Sequence, residues 1–292
     1  MRILCFGSLN IDHVYQVGHI ARPGETLPAH SYQVFAGGKG ANQSAALALA
    51  GAQVYHAGLV GPEGSWLVDK LHNIGVDMQF TGTIDAPTGH ALIQVDRQGQ
   101  NSIVIYPGCN FKLSRESIET TLQHFTESDI LLLQNEINEI PHLINQGKNR
   151  GMKVCFNPAP FTPSVLDYPL EQVDLLFVNE TEAQSLTGHN SHVGTTLLMA
   201  LAEKLPHAEV VLTLGARGAH YHAPQLDLEI PALQVQAVDT TAAGDTFIGY
   251  FLAALATAST VPQALHQATR AAALCVTCPG AMDSIPRRDE LT

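Results

Sequence analysis

The chain has 292 residues, and 15 Lys and Arg against 27 Asp and Glu leave a formal charge of −12, which excludes a basic nucleic-acid clamp as the default reading. Hydrophobic content of 45% with 14% charged residues lies far from the low-apolarity, high-charge regime of disordered chains. A chain of this length buries a full core, as one large α/β domain or two smaller ones, without disulfide or metal staples.

The opening segment, MRILCFGSLNID, begins like a secretion signal, but Asn10 and Asp12 interrupt the apolar run too early. No stretch reaches the apolar length that spans a bilayer. Cys5, Cys109, Cys155, Cys275 and Cys278 are odd in number and sit mostly in apolar runs, so reduced, buried thiols in a cytoplasmic protein are expected.

Residues 2–7 read as a buried strand, and Gly40 to Ala50, rich in Ala and Leu, as a helix ended by Gly51. A βα unit therefore opens the chain. His90–Val95 and Asn101–Tyr106 alternate apolar and polar residues around Arg97-Gln98-Gly99-Gln100, a hairpin pattern for which Val14–Ile20 and His30–Phe35 are candidate partner strands. From there the strands become continuously apolar: Asp129–Gln134, Lys153–Asn157, Asp174–Asn179 and Glu209–Leu214, with helical Ile140–Arg150 and Thr195–Lys204 between them. That rhythm indicates a parallel sheet covered on both faces. The inserted alternating strands suggest a lid over a binding site or a dimerisation sheet. No internal repeat or low-complexity linker divides the chain, so residues 1–292 are expected to form one α/β unit, with the extra strands drawn from about 13–35 and 90–106.

Several familiar motifs are absent. Gly37-Gly38-Lys39-Gly40 places Gly40 where a phosphate-binding P-loop needs Ser or Thr, and has no glycine at position 33. There is no G-x-G-x-x-G after the first strand, no G-x-S-x-G elbow and no H-E-x-x-H. His220 and His222 lie two apart in a predicted strand and read as surface residues. Cys275 and Cys278 form a C-x-x-C without the second pair that a zinc site requires.

The segment from Ala237 to Phe247 runs from an apolar stretch into a helical run ending near Ala258. Small residues there let backbone approach a ligand, and the free amides of Ala242, Ala243 and Gly244 are suited to an anion. Asp245 beside such a site reads either as a base for a hydroxyl attacking phosphorus or as a first-turn residue favouring the helix dipole.

Asp239-Thr240-Thr241-Ala242-Ala243-Gly244-Asp245 resembles the C-terminal signature of the ribokinase (PfkB) family of carbohydrate kinases, and Gly37 to Gln43 (GGKGANQ) resembles its N-terminal glycine motif. Further similar segments are Gly7 to Asp12, Pro23 to Thr26, Asn157 to Pro160, Asn179 to Glu182 and Thr213 to Gly218. The resemblance implies a three-layer α/β/α sandwich with a mainly parallel central sheet and a small antiparallel β-lid. It also implies ATP-dependent phosphorylation of the primary hydroxyl of a pentose. Ribose is the first expectation; deoxyribose, another furanose or a nucleoside is the alternative, and a non-catalytic sugar-binding regulator the reading of a different class.

By the same resemblance Asp245 is the general base, and the amides of Ala242, Ala243 and Gly244 hold the transferring phosphoryl group. Asn10, Asp12, Gly38, Lys39, Asn42 and Glu136 are implied to bind the sugar, since each hydroxyl buried without a partner costs about 1–3 kcal/mol. Asp12, at a strand end, is placed to accept from two neighbouring hydroxyls; from its own neighbourhood it reads equally as a turn residue. Asn179 and Glu182 are implied to order Mg²⁺ and phosphate, although the pair alone reads as a helix N-cap. The nucleotide is expected along Thr213, Gly215, Ala216, Gly218 and Gly244, with adenine near Thr269. A monovalent cation, K⁺, is implied at Asp239, Thr241, Cys275, Cys278, Gly280 and Ser284, with no role for the sulfurs. A homodimer through the lid strands is expected, with no nucleic-acid or membrane partner. Ile248, Ala216, Thr269 and Cys278-Pro279 depart from residues common in the family.

Overall fold

The alternation within one strand decides the layering. A computed structural model describes residues 1–291; Thr292, the last residue of the expected 1–292 unit, lies outside it. In β1 (Ile3–Phe6) all four residues are buried, with Ile3 and Cys5 in one hydrophobic cluster and Leu4 and Phe6 in another. That is the period-two geometry of a strand covered on both faces.

After β1 come β2 (Asn10–Gln16), β3 (Ser31–Gly37), α1 (Lys39–Leu49), β4 (Val54–Val60), α2 (Ser65–Asn73), β5 (Asp77–Thr83), β6 (Gly89–Val95) and β7 (Asn101–Tyr106). The middle of the chain contributes α3 (Arg115–Leu122), β8 (Ile130–Gln134), α4 (Ile140–Asn149), β9 (Lys153–Asn157), β10 (Leu175–Asn179), α5 (Glu180–Thr187) and α6 (Gly194–Lys204). The rest is β11 (Glu209–Thr213), β12 (Ala219–Ala223), β13 (Leu226–Ile230), α7 (Ala243–Ala256) and α8 (Val261–Cys275).

Nine strands form the central sheet in the order β13-β12-β11-β10-β9-β8-β1-β4-β5. From β11 to β5 every pairing is parallel, and β12 and β13 add an antiparallel edge. One face packs on α1, α2, α7 and α8, the other on α3 to α6, giving three layers. On the first face α1 and α7 meet nearly backbone to backbone: a Cβ on Gly249 would lie 2.3 Å from Ala46 Cβ.

The second sheet has the order β3-β2-β6-β7. Two of its pairings are antiparallel, but the central one, β2 with β6, is parallel. The hairpin turn falls where expected, with Asp96 Oδ1 accepting from the amides of Gln98 and Gln100. One partner strand does not fall where expected, since β2 starts at Asn10, not Val14, and stops at Gln16, whereas β3, from Ser31 to Gly37, lies within two residues of the expected His30–Phe35. The cause is polarity, since Asn10 and Asp12 mask the strand pattern although both pair with neighbours, Asn10 with Gly37 and Gly89. Asp12 is thus a mid-strand residue, not one at a strand end. Tyr32, Val34, Leu92, Ile103, Ile105 and Tyr106 leave this sheet with an exposed apolar surface.

Other boundaries lie within one or two residues of expectation, while β4, α2, β5, α3, α5 and β13 are elements the pattern had not singled out. His220 is a correction: it is buried in β12, with Nε2 3.5 Å from Glu229 on the neighbouring β13 and α6 close against it. All five cysteines are free, four of them buried and Cys278 exposed. No helix among the described residues is long and apolar enough to cross a membrane.

Candidate active site

The parallel strands end on a common edge, where ligands of open α/β sheets collect. Just past β1 lie Gly7 and Ser8; past β8, Glu136; and β9, β10 and β11 end at Asn157, Asn179 and Thr213. Gly38, with φ +91°, turns the chain from β3 into α1 in a conformation that other residues resist. Gly40 cannot carry a side chain because its Cβ would lie 2.4 Å from the Ser8 amide. The glycine motif therefore serves close approach of α1 to β1.

This approach builds a polar wall. Glu136 accepts from the Lys39 amide at 2.8 Å and from Ser8 Oγ. Asn10 Oδ1 accepts from Asn110 Nδ2 at 2.7 Å, and Asn110 is itself clamped to both backbone groups of Leu9. Asn42 Oδ1 is buried and has no protein partner. An acceptor left open beside carboxylates suits a ligand hydroxyl. Burial lifts the Asp12 carboxyl to about 7, with the charge of Glu136 adding to the effect. Burial also raises Glu136, against the opposing pull of Lys39. The Lys39 amine is held above its ordinary value by Asp245 first and by Glu136 after it.

Asp245 stands where the wall meets α7. Its side chain caps no helix. Its Oδ1 accepts from Gln43 Nε2 at 2.8 Å, its Oδ2 from Asn42 Nδ2 at 3.3 Å, and Lys39 Nζ lies 3.9 Å away. Ala242, left-handed at φ +60°, starts the helix so that the amides of Ala242 and Gly244 donate to no protein group among the described residues. The Ala243 amide does not join them as expected: the tight turn directs it onto the Thr240 carbonyl at 3.3 Å. The Asp245 amide is free in its place.

Beyond the amides a cavity of about 560 Å³ opens between β10, β11 and the helices α7 and α8. Asn179, Thr213, Gly215, Ala216, Gly218, Gly244 and Thr269 all line it. Thr269 Oγ1 is buried there without a partner. Leu233 and Val235, which no sequence signal marked, form a further apolar wall with Ala237, all from the irregular segment before α7. Glu182 does not line the cavity. It forms a reciprocal cap with Asn179, accepting from the Asn179 amide and Nδ2, and burial raises its carboxyl. With both oxygens so held, the pair fits a hydrated Mg²⁺ better than a directly ligated one.

The residues expected at a monovalent cation come together behind α7. Gly280 donates its amide to Asp239 Oδ2 at 3.0 Å, and Thr241 bonds Asp239 Oδ1 through its amide and hydroxyl. Cys275 is buried, and its sulfur is used structurally, bonded by Thr246 Oγ1 at 3.3 Å and lying 3.1 Å from Ser284 Oγ. Cys278 is exposed. No group of three or more His, Cys, Asp or Glu suited to a metal occurs among the described residues, and the oxygen atoms there are those of Asp239, the Thr241 and Ser284 hydroxyls and backbone carbonyls.

A model of the pfkB family carbohydrate kinases matches residues 1–288. The chain is 37% identical over 293 residues to a ribokinase of Haemophilus influenzae, covering 97% of this chain and 95% of that one. It is 30% identical over 296 residues to a deoxyribokinase of Salmonella typhimurium, covering 98% and 96%. Arabidopsis thaliana ribokinase complexed with ribose and ATP has the same fold, with a TM-score of 0.87 at 30% identity over 99% of this chain and 96% of that chain.

Proposed function

Because the chain belongs to the pfkB family of carbohydrate kinases, we propose that it transfers the γ-phosphoryl group of ATP to the primary hydroxyl of D-ribose, giving ribose 5-phosphate and ADP. The observation that carries this reading is Asp245, a buried carboxylate set between the polar wall and the free helix amides. A hydroxyl bound there gives its proton to Asp245 as its oxygen attacks phosphorus, and the bond from phosphorus to the leaving oxygen of ADP breaks. General-base help of this kind contributes about 10²–10⁴-fold. The amides of Ala242, Gly244 and Asp245 face the charge that builds on the phosphoryl oxygens.

Asn10, Asp12, Gly38, Lys39, Asn42 and Glu136 orient the sugar, and the open Asn42 Oδ1 takes one hydroxyl proton as a hydrogen bond. Asn179, Thr213, Gly215, Ala216, Gly218, Gly244 and Thr269 hold the nucleotide, and Glu182 with Asn179 orders the hydration of Mg²⁺. When bound, Mg²⁺ neutralises phosphate charge, and K⁺ near Asp239, Thr241, Cys275, Cys278, Gly280 and Ser284 supports the turn that presents the amides. The small sheet acts as a lid within one α/β unit, keeping water from the phosphoryl group. Its exposed apolar surface fits a second copy of the chain, and the free thiols suit the cytoplasm.

ADP release is to be measured with Mg-ATP against ribose, 2-deoxyribose, fructose and nucleosides, with and without K⁺. Selective turnover of ribose that rises with K⁺ is the expected result. Preference for 2-deoxyribose, in keeping with the Salmonella relative, would move the substrate and keep the mechanism. Silence with sugar binding intact would favour a regulator. Sedimentation at one-chain mass across micromolar concentrations would exclude the dimer.

A further inference from the structure

Behind Asp245 lies a buried chain of amides that the reaction as described does not use. Gln43, on α1, is fully buried, as is Gln134 at the end of β8, and Asn157 at the end of β9 is buried beside them. We propose that Gln43 is a positioning residue for the catalytic carboxylate and that Gln134 acts through it; the proposal rests on Asp245 being the base.

Two acceptors facing Gln43 Nε2, the Asp245 carboxylate and Asn157 Oδ1, fix which way the Gln43 amide points. Gln134 Nε2 donates to Gln43 Oε1 at 2.7 Å. Asn157 Nδ2 donates to the Phe177 carbonyl at 3.0 Å, which leaves Asn157 Oδ1 as an acceptor facing Gln43 Nε2 at 3.2 Å. The second hydrogen of Gln43 Nε2 then goes to Asp245 Oδ1 at 2.8 Å. A flipped amide would set its oxygen against two acceptors, the Asp245 carboxylate and Asn157 Oδ1, and its nitrogen against that of Gln134.

The consequence is a division of labour within the carboxylate. Oδ1 is tied to a donor that cannot turn away, which fixes the carboxylate plane. Oδ2 carries only the longer bond from Asn42 and is the oxygen presented to the hydroxyl. Catalytic geometry of this kind is sensitive to displacements of about 1 Å, which can cost 10²-fold. Because the four residues come from α1, β8, β9 and α7, the network ties the base to the sheet as well as to its own helix.

The test compares Gln43→Met and Gln134→Met, which keep chain length and lose the amide, with their double mutant and with Asp245→Asn. Readouts are kcat and sugar KM per folded molecule, with folding followed by circular dichroism and sugar binding by calorimetry. Gln43→Met is expected to lower kcat about 30–100-fold and Gln134→Met about 3–10-fold, with KM within about threefold of wild type. The double mutant should be no slower than Gln43→Met, because Gln134 has nothing left to act through. Wild-type kcat in both single variants beside an inactive Asp245→Asn would overturn the proposal, and so would additive losses or losses confined to KM. An active Asp245→Asn would instead overturn the reading beneath it. Should Gln43→Met not fold, Gln134→Met alone decides, by a fall in kcat at unchanged KM or by its absence.

Discussion

The two walls of the cleft are built on opposite principles. The wall read as the sugar side is a lattice of buried, mutually oriented polar groups, in which Asn110 sets Asn10, Glu136 holds Ser8 and Lys39, and Gln43 holds Asp245. The wall read as the nucleotide side is a mainly apolar slot, which Leu214, Leu233, Val235, Ala237 and Val276 line beside Asn179, Thr213 and the buried Thr269 hydroxyl. Fixed donors and acceptors discriminate strongly, because a mismatched ligand strands buried partners, whereas apolar surface discriminates weakly. Selectivity for the acceptor should therefore be sharp and selectivity for the base of the nucleotide slack.

The strongest attempt to break this contrast is Asp245→Asn. It is expected to lower kcat at least 10³-fold while sugar and nucleotide affinities, measured by calorimetry, stay within a few-fold. Retention of more than a tenth of the activity would remove Asp245 as the base. Next comes Asn110→Ala, which frees the Asn10 amide to turn; sugar KM should rise about 10–30-fold with kcat nearly unchanged.

Asp12→Asn sharpens the contrast through stability. At pH well below 3.8 the carboxyl is neutral in both folded and unfolded chains, and no penalty arises. As pH rises toward about 7 the unfolded chain ionises while the folded one does not, so wild-type stability falls with rising pH. The variant, free of this loss, should gain on wild type across that window by about 2 kcal/mol, allowing for screening at the open side of the cleft. Thermal melts at pH 4 and pH 8 measure it, and equal differences at the two values would contradict the raised carboxyl. The smallest effect is expected at Thr269→Val: a change in KM for ATP below about threefold, with GTP turned over nearly as well before and after. A tenfold loss specific to ATP would show that the apolar wall reads the base after all.

Features that are local in the chain were the legible ones. Gly37 to Gln43 and Asp239 to Asp245 each put their chemistry within seven residues, and the apolar strands from Asp129 onward announce a parallel sheet. What escaped depends on distance. Gln43 lies inside the first motif, yet its part is set by Asp245, 202 residues away, and Asn110 matters through Asn10, 100 residues away. The strand β2 was misplaced because its first residues face the cleft with polar side chains, and the apolar segment of Leu233 to Ala237 has no regular period to detect.

The central position of β1 has a consequence during synthesis. Its partners are β4 on one side and β8 on the other, with Ile3 aligned to Ile130, so 127 residues separate the two halves of one ladder. At about 5–20 residues per second, a ribosome needs roughly 6–25 s between making Ile3 and making Ile130. For that interval one edge of an entirely apolar strand waits without its neighbour, whereas β3 and β6, the partners of β2, are made well before it ends. The polar wall of the cleft thus stays open until Glu136 has followed β8, and its link from Gln43 to Asp245 closes only once α7 exists.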